Sequence, residues 1–257
     1  ICVAPMFLYY KTARDYVKTS WYFIAFALAG LFFTLAPHVW QLGFISNLDI
    51  WIAERINGWI GISPAYDQFV RFLTSQAAQV SGALAILAIC IIFAWRERFY
   101  DMGRFLGYLL WIGAGIIIAL LLAYYLTERL EEQVDIHGPF YHLAQFKNIN
   151  EIHDGWDIKV KDKTSVPSRY TTVYFSIFWL ALFRSPLLSL ALLVPALLLS
   201  PGHMLVGREW PSSVVAGIFW AGSVGALLAR TPLAVIPRWM EENSMYLVER
   251  VLTIWTS

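Results

Sequence analysis

Six long apolar runs constrain this chain more than any other feature of it. They are Ser20 to Ala36, Ala77 to Trp95, Phe105 to Leu126, Tyr170 to Phe183, Pro186 to Ser200 and Ser213 to Ala229. A hydrocarbon core of about 30 Å asks for roughly 20 mostly apolar helical residues, and shorter runs suffice where flanking residues carry the helix into the interface. The runs predict an all-α polytopic membrane protein, a six-transmembrane-helix bundle. The fourth run is short and has to borrow residues from the loop before it. The fifth contains Pro195, which a packed transmembrane helix tolerates with a kink. Composition agrees, because 58% hydrophobic and 14% charged residues are outside the range of an ordinary soluble domain.

A net charge of +1 gives no field that would draw nucleic acid or an acidic partner. Cys2 and Cys90 lie far apart, and Cys90 falls within an apolar run, so neither a disulfide framework nor a metal cluster is expected. No complete signal peptide is expected in the chain, and targeting rests on the membrane segments.

Lysine and arginine in the connections set orientation. Lys11, Arg14 and Lys18 precede the first run, and Arg96, Arg98 and Arg104 lie between the second and third. Arg184 separates the fourth and fifth, and Arg230, Arg238 and Arg250 follow the sixth. All four groups share one side, which places both termini in the cytoplasm, in a bacterial inner membrane. Three parts result: a cytoplasmic segment over 1–19, a membrane domain over 20–229 and a cytoplasmic tail over 230–257. In the tail, Ile236, Trp239, Met240, Tyr246, Leu247, Val251, Leu252 and Trp255 have the spacing of an amphipathic helix.

The exoplasmic side receives Pro37 to Gln76, the long segment Thr127 to Arg169 between the third and fourth spans, and the connection Pro201 to Ser212. All five histidines fall there. Within Asn47 to Ile60, the apolar residues Leu48, Trp51, Ile52, Ile56, Trp59 and Ile60 recur at helical spacing, with Asp49, Glu54 and Arg55 opposite. This pattern predicts an interfacial amphipathic helix or one packed over the bundle mouth, and the two are compatible. The aromatic cluster Phe175, Phe178 and Trp179 on the fourth span is assigned to lipid contact, ahead of a neighbouring subunit or pigment. A metal site is not expected: His137 and His142 are five residues apart and do not share a helix face, and no H-E-x-x-H pattern occurs. No apolar run carries an ionisable residue at mid-span, which disfavours a transporter.

Two short motifs stand at the exoplasmic ends of neighbouring spans. Ser165-Val-Pro-Ser-Arg-Tyr170 begins the fourth, and Gly202-His203 followed by Glu209-Trp-Pro-Ser-Ser213 links the fifth to the sixth. The arrangement resembles the type 2 phosphatidic acid phosphatase superfamily, which includes the vanadium haloperoxidases and carries the motifs K-x6-R-P, P-S-G-H and S-R-x5-H-x3-D. The resemblance covers roughly Asn47 to Ala229. It implies a phosphoryl-accepting His, an Asp that orients it, a second His as general acid, and a Lys and Arg clamp on the phosphate.

This chain replaces those groups. Glu209 stands at the nucleophile, Ser213 at the orienting Asp, and Gly202 and His203 at the S-R pair. Pro167 and Ser168 keep the start of P-S-G-H, while Arg169 replaces its Gly and Tyr170 its His. The first motif is not found: Lys147 is followed at that spacing by Asp154-Gly155, Lys159 by Val166-Pro167, and the Gly138-Pro139 pair has Glu131 at the Lys position. A carboxylate facing a phosphate about 4 Å away repels it by about 4 kcal/mol at an effective dielectric near 20. Loss of a general acid alone lowers the rate by a factor of about 10² to 10⁴.

The resemblance implies a catalytically inactive relative, with no cofactor, acting as a structural, accessory or lipid-binding subunit among membrane lipids and other membrane-protein subunits. The alternative is a phosphatase of altered mechanism acting on phosphatidic acid or a polyprenyl phosphate. At the degenerate site, either Arg169 or Arg208 pairs with Glu209 as a plug, or Arg169, His203, Arg208 and Glu209 hold a lipid head group. An open polar pocket at Glu209 favours the enzyme, whereas a filled or covered one favours the structural role.

Overall fold

A computed structural model describes residues 13–38, 42–98, 113–115, 117–118, 120–121, 124–125, 128–129, 137–153, 155–158, 166–182 and 185–230. Most of the third run and the tail over 231–257 lie outside the described residues, as do Lys11, Arg104, Arg184, Arg238, Arg250 and the lysines at 159, 161 and 163. The architecture is helical. In chain order the helices are α1 (Ala13–His38), α2 (Gly43–Asn57), α3 (Pro64–Thr74), α4 (Gln76–Arg98), α5 (Pro139–His142), α6 (Ile149–Ile152), α7 (Arg169–Leu182), α8 (Pro186–Leu199), α9 (Gly202–Leu205) and α10 (Pro211–Arg230). Residues 113–115, 117–118, 120–121, 124–125 and 128–129 are also helical.

The stretches Gln76–Phe93 and Pro186–Leu205 are long and apolar enough to cross a membrane, while Trp21–Ala36 and Pro211–Leu227 are shorter apolar helices. Only 22% of the first stretch is buried, whereas the core helix of a soluble protein would be mostly buried. Leu84, Leu87 and Ile92 on α4 and Leu190, Val194 and Leu197 on α8 turn outward, which points to a membrane protein.

The helices pack in the spatial order α1, α10, α7, α8, α4. Small residues on α10 set the spacing. A methyl group on Gly225 would lie 2.5 Å from Cβ of Trp179, and one on Gly217 would lie 3.0 Å from the carbonyl oxygen of Ser168. With Ala221 between them, these residues occupy one face of α10 at four-residue spacing, the pattern that lets two helix backbones approach closely. Below this seam Ile86 and Cys90 of α4 meet Ile177, Leu180 and Ala181 of α7, Leu188 and Leu192 of α8, and Val224 of α10.

Two sequence expectations are corrected in this region. The aromatic cluster on the fourth run faces the interior: Phe175 is buried with Ala196 and Ala221, and Trp179 packs on Phe26 with ring centroids 4.8 Å apart. Trp179 also donates its indole N–H to the carbonyl of Ile218 at 3.2 Å. In addition, α7 takes only one residue, Arg169, from the connection before it. Its 14 residues span about 21 Å at 1.5 Å per residue.

The α2 helix forms where it was expected. Asp49, Ala53 and Asn57 are the buried residues, a line at four-residue spacing. Phe44 is 81% exposed and Trp51 62% exposed, with Leu48 also outward. Asp49 and Asn57 therefore turn into the protein while Phe44, Leu48 and Trp51 look away from it, and Ile52 and Ile56 lie half-buried between them. At the same end of the molecule Ile60, Val70, Ile149 and Val206 make a small separate core, which joins the α2–α3 connection, α6 and the turn after α9.

Candidate functional site

The two motifs meet at the N-termini of α7 and α10. Ser168 precedes α7, and its hydroxyl oxygen accepts from the amide of Thr171 at 3.3 Å while donating to Oγ1 of Thr171 at 2.9 Å. This is the geometry of a serine N-cap. Its own amide donates to the carbonyl of Ser213 at 2.9 Å, so one hydrogen bond ties the first motif to the second. Pro211 opens α10, where a missing N–H is harmless, and the amide of Ser213 returns to the carbonyl of Trp210 at 3.0 Å.

The remaining donors at this end of α10 are met from a distance. The amide of Ser212 donates to Oδ1 of Asp49 at 2.8 Å, and its hydroxyl donates to Oδ2 at 2.6 Å. A carboxylate at a helix N-terminus meets the positive end of the dipole. Burial nevertheless pushes the Asp49 carboxyl up from its ordinary 3.8, and the hydroxyl and amide of Ser212 pull it partly back. Sequence periodicity placed Asp49 opposite the apolar residues of α2 and did not connect it to Ser212. The spacing of Asp49, Ala53 and Asn57 is the signal that could have found it.

The replaced residues come together. The ring of Tyr170 stacks on that of His203 with centroids 4.2 Å apart and planes 28° apart, and the phenol accepts from Nε2 of Gln79 at 3.2 Å. The amide of Arg208 donates to the carbonyl of His203 at 3.0 Å, while the guanidinium of Arg169 lies 4.9 Å above the ring of Tyr124. Ser168 and Ser213 are fully buried, His203 is 6% exposed and Glu209 only 1% exposed. Nδ1 of His203 and Oγ of Ser213 are buried without a hydrogen bond.

Residues 137–153 and 155–158 form a strap across this end. The indole of Trp210 donates to the carbonyl of His137 at 2.8 Å, and the amide of Phe140 donates to the carbonyl of Gly207 at 3.0 Å. Gly138 lies so close to the carbonyls of Gly207 and Arg208 that any side chain there would collide with them.

Farther along the strap, Asn57 exchanges two hydrogen bonds with the backbone of Lys147, at 2.7 and 3.0 Å. The ammonium of Lys147 donates to the carbonyls of Gly58 and Ile60 at 3.0 and 2.9 Å, so this lysine caps the end of α2. Beyond it, Nε2 of His153 lies 2.7 Å from Oδ2 of Asp67, a carboxylate that also accepts the amide of Gly61 at 3.1 and 3.2 Å. The His153 ring stacks on Trp156 at 4.2 Å, and the guanidinium of Arg71 sits 4.7 Å from the same indole.

Ser168, Glu209 and Ser213 are buried, whereas Arg169 and Tyr170, one and two residues beyond Ser168, are half-buried. Among the described residues, no group of three or more His, Cys, Asp or Glu side chains is placed to hold a metal ion. No protein-family model matches the sequence, and no curated protein or solved structure matches it.

Proposed function

We propose that the chain is a catalytically inactive relative of the type 2 phosphatidic acid phosphatases that serves as a structural or lipid-binding accessory subunit of a membrane complex. The observation that carries this reading is the closure of the degenerate site: Glu209, Ser213 and Ser168 are buried, and the strap is fastened over them through Trp210 and Gly207. A hydrolase acting on a membrane lipid needs that place open to its substrate. The concerted exchange of nucleophile, acid and clamp residues supports the same conclusion.

The reading carries six spans, both termini in the cytoplasm of a bacterial inner membrane, and the motifs on the exoplasmic side. The outward apolar residues of α4 and α8, and the outward Phe44 and Trp51 of α2, suit spans in lipid and a helix in the interface. A second reading, an altered phosphatase, draws on the buried atoms Nδ1 of His203 and Oγ of Ser213, because unsatisfied polar atoms gather at functional sites.

Phosphate release from phosphatidic acid and from isoprenyl diphosphates by the detergent-purified protein separates the two readings. The inactive reading predicts release no faster than in protein-free micelles. Turnover that disappears in Glu209→Ala would establish the altered enzyme instead.

A further inference from the structure

A cleft of about 440 Å³ opens beside the closed site. It is lined by Gln79, Tyr124, Arg169 and Tyr170, which we take as its rim, and by Leu120, Leu121, Val173 and Tyr174, which we take as its floor. The division follows helix register. Gln79 lies in the first turn of α4, and Arg169 and Tyr170 lie in the first turn of α7, with Val173 and Tyr174 one turn deeper. Tyr124 lies under Arg169, so Leu120 and Leu121, one turn before it, lie at the depth of Val173 and Tyr174. The volume falls in the range of about 300–1,000 Å³ typical of small-molecule sites, as does a mostly apolar lining with a few polar groups at one end.

Among the described lining residues Arg169 is the one charged group. Its guanidinium carbon lies 4.9 Å from the centroid of the Tyr124 ring, at the same end of the cleft as Gln79 and Tyr170, and arginine is the side chain suited to a phosphate group. The rim lies at the ends of helices whose outward surfaces are apolar. An amphiphile with its anion at the rim and its chain on the floor matches this gradient. A free anion would leave the floor uncovered.

We propose that this cleft binds an anionic phospholipid, with its phosphate at Arg169 and one acyl chain along Leu120, Leu121, Val173 and Tyr174. The proposal rests on the chain being a membrane protein, and it names the lipid site as this lateral cleft rather than the sealed cluster around Glu209.

The test uses the full chain in phosphatidylcholine vesicles containing either phosphatidylglycerol or phosphatidylcholine with a photoreactive acyl chain, with crosslinked residues mapped by mass spectrometry. The expected result is crosslinking at the four floor residues, favouring phosphatidylglycerol by about fivefold, the effect of one arginine near an anionic lipid surface. Arg169→Gln should abolish the preference and Arg169→Lys should keep part of it. Val173→Trp should clear the floor of crosslinks while Leu190 on α8 stays labelled. Equal labelling by the two lipids, a preference that survives Arg169→Gln, or protection by inorganic phosphate would each overturn the proposal. Labelling at Leu190 reports membrane insertion separately, and phosphate release from phosphatidic acid in the same vesicles reports separately on catalytic inactivity.

Discussion

Replacing Asp49 by alanine removes the group that closes the start of α10. Two hydrogen bonds are lost, at 2.8 and 2.6 Å, and each is worth about 1.5–3 kcal/mol when its acceptor is ionised. The favourable placement at the helix dipole adds about 0.3–1 kcal/mol. Against these stands the desolvation of a buried carboxylate, which its raised pKa records. The balance predicts that Asp49→Ala destabilises the protein by about 2–4 kcal/mol, a fall in Tm on the order of 10 °C. Asp49→Asn retains an acceptor for the Ser212 amide and a donor for its hydroxyl, and should cost about 1 kcal/mol.

Stability against pH gives an independent check with a definite sign. The folded-state pKa of Asp49 lies above its ordinary 3.8. As pH rises, the unfolded chain therefore releases this proton first. The part of its contribution that comes from this shift is fully present below about 3.8 and is lost as pH rises through the raised value. The advantage of the wild type over Asp49→Asn should accordingly shrink from acidic toward neutral pH when Tm is measured in detergent micelles. An advantage that grows over the same interval would mean that the helix N-terminus outweighs burial, and the reasoning would fail.

Two other perturbations probe the seam and the strap. Gly225→Leu places its side chain against Cβ of Trp179 and should destabilise the helix pair by about 1–3 kcal/mol, read as a lower Tm and a smaller monodisperse fraction on gel filtration. Lys147→Met removes the cap on the carbonyls of Gly58 and Ile60, and limited proteolysis should then cut the strap faster with little change in Tm. Unchanged proteolysis would show that the Asn57 pairing holds the strap without it.

Much of the helical architecture was legible because apolar runs report helices directly. The start of α10 was legible to within two residues, since the sixth run begins at Ser213 and the helix at Pro211. The face of α2 was not. Periodicity shows that Trp51 and Asp49 lie on opposite sides but not which side meets protein, so the interfacial and the bundle-packed readings both stood. Phe175 was misplaced for a related reason, since its partners Ala196 and Ala221 lie on other helices and leave no mark on the local pattern. Lys147 and Asp67 were missed because their roles depend on how a long connection folds back over α2 and α3. The cleft beneath Arg169 depends on the relative heights of three helical segments, which no single stretch of sequence encodes.

The closure of the degenerate site is the claim on which the functional account turns, and cysteine accessibility measures it directly. In a background carrying Cys2→Ser and Cys90→Ala, Ser213→Cys places a thiol at the orienting position of the second motif, and Tyr141→Cys places one at a half-exposed position on the strap. With a membrane-impermeant maleimide, the account predicts prompt labelling at 141 and labelling at 213 only after denaturation. Labelling of the native protein at 213 as fast as at 141 would mean that the site is open, and would contradict it.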